Sequence, residues 1–125
     1  IASGGELARF MLALKVNLAQ SSSVATMIFD EVDAGVGGAT AQAVGERLAR
    51  LARDVQVLVV THSPQVAACG NNHFKVEKST AGNVTTTTVR ELTKIEKSEE
   101  IARMLAGEVI TDAARAAAKV LIGAE

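Results

Sequence analysis

Three acidic residues follow a short apolar segment in the first third of the chain. Residues 25–29 are mostly apolar, Asp30 and Glu31 come directly after them, and Asp33 lies two positions further on. Two carboxylates at the end of a buried strand are costly unless positive charge faces them, and magnesium with nucleotide phosphates would supply it. Asp30 would hold the metal through a bound water, and Glu31 would act as general base on the attacking water. The alternative is a solvated acidic turn.

A histidine occupies the corresponding place after the next apolar segment. Residues 55–60 form a second buried strand in this interpretation, and His62 follows it within a Thr-His-Ser-Pro sequence. The carboxyl ends of parallel strands meet at one edge of a sheet, so His62 is expected close to Glu31. There it would hydrogen-bond a γ-phosphate or the attacking water as a sensor. The other histidine, His73, begins an ordinary alternating strand and is interpreted as structural.

The sequence Ser3-Gly4-Gly5-Glu6 precedes a segment with helical apolar spacing. Ser3 is the expected N-cap, and Gly4 and Gly5 offer unobstructed backbone N–H groups at a helix N-terminus. Unpaired amides and the helix dipole both favour an anion such as phosphate. The same residues also suit an ordinary flexible cap, so this motif alone is not specific.

A phosphate-binding loop of the G-x-x-x-x-G-K-[ST] type is not found in the sequence. None of the ten glycines is followed by lysine. A nucleotide-binding lysine is therefore expected from a segment upstream or from another subunit. Because the chain begins with Ile1 rather than methionine, we interpret it as part of a longer protein, and we expect this chain alone not to hydrolyse ATP.

These residues would be positioned by an α/β fold with mostly parallel, buried strands flanked by helices. Strand, helix, strand and short helix in succession favour parallel β/α/β packing with both strands buried on both faces. A hairpin and two closing helices, each with a hydroxyl N-cap, are expected to follow. The predicted helices span residues 6–20, 39–51, 65–68, 98–105 and 111–122, and the predicted strands span residues 25–29, 55–60, 73–78 and 85–92.

The length and apolar content of the sequence suit one domain over residues 1–125. The net charge of −1 excludes a strong chain-wide attraction to nucleic acid or to anionic membranes. The lone Cys69 fits a reducing cytoplasm, and no apolar segment is long enough to span a membrane. Arg47, Arg50 and Arg53 recur at every third position and could touch DNA phosphates, but a solvated stripe is the simpler interpretation.

Taken together, these elements resemble the ABC-type ATPase family in their order and approximate spacing. Ser3-Gly4-Gly5-Glu6 is similar to the signature motif, residues 27–31 to the Walker B strand, and His62 to the switch histidine. Asp33 and the glycines after it are similar to the D-loop, which implies a nucleotide contact. Ala2 departs from the leucine that many members carry. The resemblance implies the carboxy-terminal lobe of an ATPase head that uses ATP and Mg²⁺, with its phosphate-loop lobe and a coiled coil upstream.

Within this family the resemblance is to bacterial DNA repair ATPases related to the SMC proteins. It rests on residues 2–7, 61–67, 73–74 and 100–105. It implies a cytoplasmic, nucleoid-associated protein that acts in double-strand-break repair and recombination. It also implies a head-to-head homodimer, in which the signature contacts nucleotide on the opposite head, and DNA binding through the full-length protein, without membrane partners. The alternatives are an SMC head, a transporter cassette or a non-catalytic interaction module.

Overall fold

The computed structural model describes residues 4–21 and 23–123, and the chain divides into two compact units between Cys69 and Gly70. The first unit contains α1 (Gly4–Ser21), β1 (Thr26–Asp30), α2 (Gly38–Leu51), β2 (Gln56–Val60) and α3 (Pro64–Ala68). The second contains β3 (Phe74–Ala81), β4 (Val84–Glu91), α4 (Lys94–Ala106) and α5 (Asp112–Ile122). The predicted mixed α/β fold is confirmed. No helix in these described ranges is both long and apolar enough to cross a membrane.

The first unit is built on a parallel pair of strands connected through α2. β1 and β2 pair in register from Thr26 with Gln56 to Asp30 with Val60. α2 buries one side at helical spacing, and Phe29 in β1 is fully buried. These elements share one apolar core of buried residues: Leu12, Phe29, Ala41, Val44, Leu48, Leu51 and Val66. The core fixes the carboxyl ends of β1 and β2 side by side.

The second face of this strand pair is exposed, so the expectation of strands buried on both faces is wrong for the described residues. Ile28 is 63% exposed, Leu58 46% and Val60 53%, although all three are large apolar residues. The register places Ile28 beside Leu58, on the face opposite Phe29. The described helices of this unit pack on the Phe29 face alone. The opposite face of the two strands is therefore exposed, although its residues are apolar.

In the second unit the strands form an antiparallel hairpin, so only half of the strands in the described ranges are parallel. β3 and β4 pair from Phe74 with Glu91 to Ala81 with Val84. Gly82 opens the two-residue turn between them with φ of +61°, a conformation that glycine adopts without steric cost. The prediction of a hairpin is confirmed, whereas the prediction of a mostly parallel sheet is not.

The two closing helices are present and pack against each other. α4 begins at Lys94 rather than near Ser98 because Thr93 and Glu96 form a capping box, in which each side chain bonds the other residue's backbone N–H. α5 begins at Asp112, and its predicted cap Thr111 accepts a hydrogen bond from the Ala114 N–H at 3.1 Å. The expected hydroxyl caps are therefore found, but the first is five residues earlier than predicted.

Candidate functional site

The turn after β1 holds Glu31 in an unusual backbone conformation. Asp30 is the last residue of β1, and Glu31 follows it with φ of +50°, the only positive φ of a non-glycine residue in the described ranges. The Glu31 N–H donates to the Val60 carbonyl at 2.9 Å, and its own carbonyl accepts from the Ala34 N–H at 3.0 Å. A left-handed conformation costs a non-glycine residue about 1–2 kcal/mol and is typical of functional sites.

The structure brings Glu31 and His62 together, as the strand order predicted. His62 Nε2 lies 2.8 Å from Glu31 Oε1, although 31 positions separate the two residues in sequence. Both side chains remain open to solvent, with 85% of His62 and 54% of Glu31 exposed. An exposed pair of this kind adds little to stability.

Asp33 differs from its neighbours because its side chain is buried within the first unit. Only 8% of the residue is exposed, and its Oδ2 accepts a hydrogen bond from the Thr61 hydroxyl. The carboxylate is bonded within its own chain, and the nucleotide contact expected of Asp33 stays a prediction.

Asp30 lies at the exposed end of β1, opposite Val60. Magnesium in nucleotide sites is held by one or two carboxylates, with water and phosphate oxygens completing six ligands. No group of three or more His, Cys, Asp or Glu side chains suited to a metal occurs among the described residues. A single exposed carboxylate therefore fits magnesium that arrives with nucleotide, but does not fit a metal held by the protein alone.

The signature-like segment lies at the start of α1. Gly4 and Gly5 open the helix and Glu6 is an exposed residue of its first turn, whereas Ser3 lies outside the described residues. The expected cap by Ser3 therefore stays a prediction. The amides of Gly4 and Gly5 belong to the first turn, where helix N–H groups have no acceptor within the helix.

Two hydroxyl residues beside His62 were not identified as functional from the sequence. Thr61 bonds Asp33, and Ser63 caps α3 through a hydrogen bond from the Val66 N–H at 3.5 Å. Pro64 occupies the first turn of α3, where its missing N–H costs nothing. The Ser-Pro pair is a readable helix start, so Ser63 had a signal in the sequence, whereas the partner of Thr61 had none.

In the second unit a buried carboxylate is held by two cations. Glu100 is 8% exposed, and its carboxylate accepts from the Arg103 guanidinium at 2.6 Å and lies 3.0 Å from Lys75 Nζ. Burial raises the pKa of Glu100, but the hydrogen bonds from Arg103 and Lys75 outweigh it and the pKa is lowered. Burial and then the charge of Lys97 lower the pKa of His73, which is the response expected of a structural histidine.

Known proteins resemble this chain closely in sequence. No protein-family model matches it. The DNA repair protein RecN of Rickettsia felis is 50% identical over 122 residues, which are 98% of this chain and 22% of that protein. RecN of Streptomyces coelicolor is 53% identical over 121 residues (97% and 21%), and RecN of Mycobacterium leprae is 54% identical over 123 residues (98% and 21%). The chain thus spans about a fifth of the length of these curated relatives.

One solved structure shares the fold. It comes from work on ATP-driven dimerization and DNA-stimulated activation of SMC ATPases, and it matches 86% of this chain and 65% of its own, with a TM-score of 0.66 and 19% sequence identity. At that identity the likeness concerns the fold alone. The sequence similarity to RecN proteins runs over nearly every residue of this chain in several relatives, and the chain matches a segment of about a fifth of their length.

Proposed function

We propose that this chain is the carboxy-terminal lobe of an ATPase head in a longer DNA repair protein. Its role is to complete an ATP site whose phosphate loop lies elsewhere in that protein. ATP binding and hydrolysis drive the association of two identical heads, and the full-length protein acts on DNA in double-strand-break repair and recombination. The RecN names of the relatives favour this SMC-like branch over a transporter cassette.

The observation that carries the proposal is the contact between Glu31 and His62. Two chemically active side chains meet at 2.8 Å beyond the carboxyl ends of neighbouring parallel strands, where ligands bind in sheets of this type. Both side chains are open to solvent, and Glu31 has a left-handed backbone conformation. An interaction module whose acidic residues only form a turn has no need of this arrangement.

Each residue has a distinct task in the proposed reaction. Oε1 of Glu31 is occupied by His62, while Oε2 makes no hydrogen bond within the described ranges, so Oε2 is available to accept the proton of a water that attacks the γ-phosphate. His62 holds the carboxylate and contacts the phosphate or the water. Asp30 would hold magnesium, which would supply positive charge to neutralise the phosphates.

The remaining contacts come from the start of α1 on the opposite head. Ser3, with the Gly4 and Gly5 amides, binds the γ-phosphate of nucleotide carried by the other subunit, and Glu6 lies in the first turn beside them. Support comes from the helix start at Gly4, which directs its first amides out of the helix. The two heads thus form two composite sites.

His62→Ala in the full-length protein tests the proposal. His62 is 85% exposed, so its removal leaves the fold intact, and the turnover number for ATP should fall by about 10²-fold or more. The control is His73→Gln, which changes the chain's other histidine outside the proposed site and should leave turnover close to the wild-type value. Wild-type turnover in His62→Ala would exclude a role for His62 in hydrolysis.

A further inference from the structure

A buried carboxylate and a threonine hydroxyl connect the two segments that carry Glu31 and His62. Asp33 is the only buried charged residue within the described part of the first unit. Its counterpart in the second unit, Glu100, is held by two cations, whereas Asp33 bonds the neutral Thr61 hydroxyl. A buried charge needs a firm hydrogen-bond partner, so this bond is not an incidental surface contact.

The hydroxyl of Thr61 has two partners, which fixes its direction. It donates to Asp33 Oδ2 and accepts from the Ser63 N–H at 2.9 Å. Ser63 in turn caps α3 and donates its hydroxyl to Gln65 Oε1 at 2.9 Å. His62 therefore lies between two residues that are both anchored, although its own side chain is exposed.

The other end of the connection is the turn that carries Glu31. The Val36 N–H donates to the Asp33 carbonyl at 3.2 Å, and the Ala34 N–H donates to the Glu31 carbonyl at 3.0 Å. Asp33 is two residues from Glu31, so the position of its carboxylate restrains the left-handed turn. Besides the bond to Thr61, two hydrogen bonds within the described residues join that turn to the end of β2: the Glu31 N–H donates to the Val60 carbonyl, and Glu31 bonds His62 at the surface. Val32 of the same turn also packs against the apolar core.

We propose that Asp33 and Thr61 are positioning residues that hold Glu31 and His62 at their working separation, and that Asp33 does not contact nucleotide. This inference rests on the proposed ATPase function. The bond joins the two segments inside the protein, while the pair it positions stays open to ligand. It replaces the nucleotide contact that the D-loop resemblance implied for Asp33.

The test is Thr61→Val in the full-length protein, which keeps the shape of the side chain and removes the hydroxyl. A small displacement of catalytic groups can cost up to about 10²-fold in rate, so kcat for ATP should fall by roughly 10- to 100-fold while KM changes less than about threefold. Thr61→Ser keeps the hydroxyl and should restore most of the rate. An unchanged kcat in Thr61→Val would overturn the inference, and so would equal losses in the valine and serine variants.

A purely structural role is separated by combining Thr61→Val with Glu31→Gln. If Thr61 acts through Glu31, the valine change should add less than about twofold to the loss already caused by Glu31→Gln, because coupled residues are not additive. A full multiplicative loss in the double variant would contradict positioning.

Asp33→Asn gives an independent check that does not depend on the folding of Thr61→Val. The amide oxygen of this variant can still accept from Thr61, so the affinity for ATP should stay within about threefold of wild type if Asp33 only positions the turn. If the Asp33 charge contacts nucleotide, its loss should weaken the affinity for ATP by roughly 10-fold or more.

Amide hydrogen exchange tests the positioning role of Thr61 independently of ATP hydrolysis. Loss of a hydrogen bond to a buried charge should speed amide exchange in residues 31–36 by roughly 10-fold in Thr61→Val, whether or not ATP is hydrolysed. If Glu31→Gln hydrolyses ATP normally but this exchange increases, the proposed function fails and the positioning of the pair stands. If exchange is unchanged, the positioning inference fails by itself.

Discussion

Gly45 lies in the middle of α2, at the point where that helix packs against α3. A methyl group placed on Gly45 would stand 2.8 Å from Cys69 Sγ, 3.1 Å from Val66 Cα and 3.2 Å from the Gln65 carbonyl oxygen. Two of these three atoms belong to the backbone of α3, so a side-chain rotation cannot relieve the overlap. Gly45→Ala should therefore push α3 away from α2.

The size of the effect follows from two opposing contributions. An added methylene in a packed interior costs about 1–3 kcal/mol, and the backbone contacts place this site in the upper part of that range. Replacing glycine by alanine inside a helix returns about 1 kcal/mol. The net loss of local stability should be about 1–2 kcal/mol, which is a factor of about 5–30 in the population of the open state.

Amide hydrogen exchange of α2 and α3 in the full-length protein measures this population directly. Exchange should speed up by the stated factor in Gly45→Ala. It should change little in Gly38→Ala, where the nearest atom is the flexible Gln65 amide nitrogen at 3.5 Å. Adding Cys69→Ala to Gly45→Ala should restore part of the protection because it removes the shortest contact. Equal or slower exchange in Gly45→Ala would refute the packing argument.

Three further outcomes follow from the account. The purified chain alone should show no magnesium-dependent ATP turnover, because it lacks a phosphate loop, and robust turnover free of contaminating ATPase would contradict this. Ser3→Arg in the full-length protein should leave ATP binding to a single head intact and abolish ATP-driven dimerisation and hydrolysis. Mixing that variant with a phosphate-loop-dead partner should restore part of the activity, whereas loss of ATP binding by the single head would place the motif within its own subunit. Hydrogen bonds from the Thr93 N–H and then from Arg90 lower the pKa of Glu96 from 4.5 to about 2. The ionised carboxylate therefore stabilises the second unit above pH 4.5, and this stability is lost as the pH falls towards 2. Far-ultraviolet circular dichroism over that range should show acid unfolding with a smaller pH dependence in Glu96→Gln.

The meeting of Glu31 with His62 could be predicted from the sequence because it depends on simple rules. Each residue follows an apolar segment, and parallel strands place their carboxyl ends together. The burial of Asp33 could not be predicted in the same way. It depends on the left-handed conformation of Glu31, which changes the direction of the turn, and on a partner 28 positions away.

Two other differences between the predicted and the observed structure have separate causes. The start of α4 at Thr93 had a readable signal, since a threonine followed three positions later by glutamate is a capping box, and Ser98 was the wrong hydroxyl. No feature of the sequence indicated that one face of β1 and β2 would be exposed. Apolar residues on both faces, such as Ile28 and Phe29, indicate that both faces are suited to burial, but not which elements will cover them.

The proposed role of Glu31 as general base is tested by single-turnover hydrolysis of magnesium-ATP by the full-length protein carrying Glu31→Gln. The amide keeps the shape of the side chain and loses the base, so hydrolysis should slow by roughly 10²-fold or more while ATP binding persists and the nucleotide-bound dimer lives longer. Asp30→Asn should instead weaken magnesium-dependent binding as well as turnover, and Glu46→Gln, an exposed glutamate on α2, is the matched control. Hydrolysis by Glu31→Gln at the wild-type rate would contradict the account.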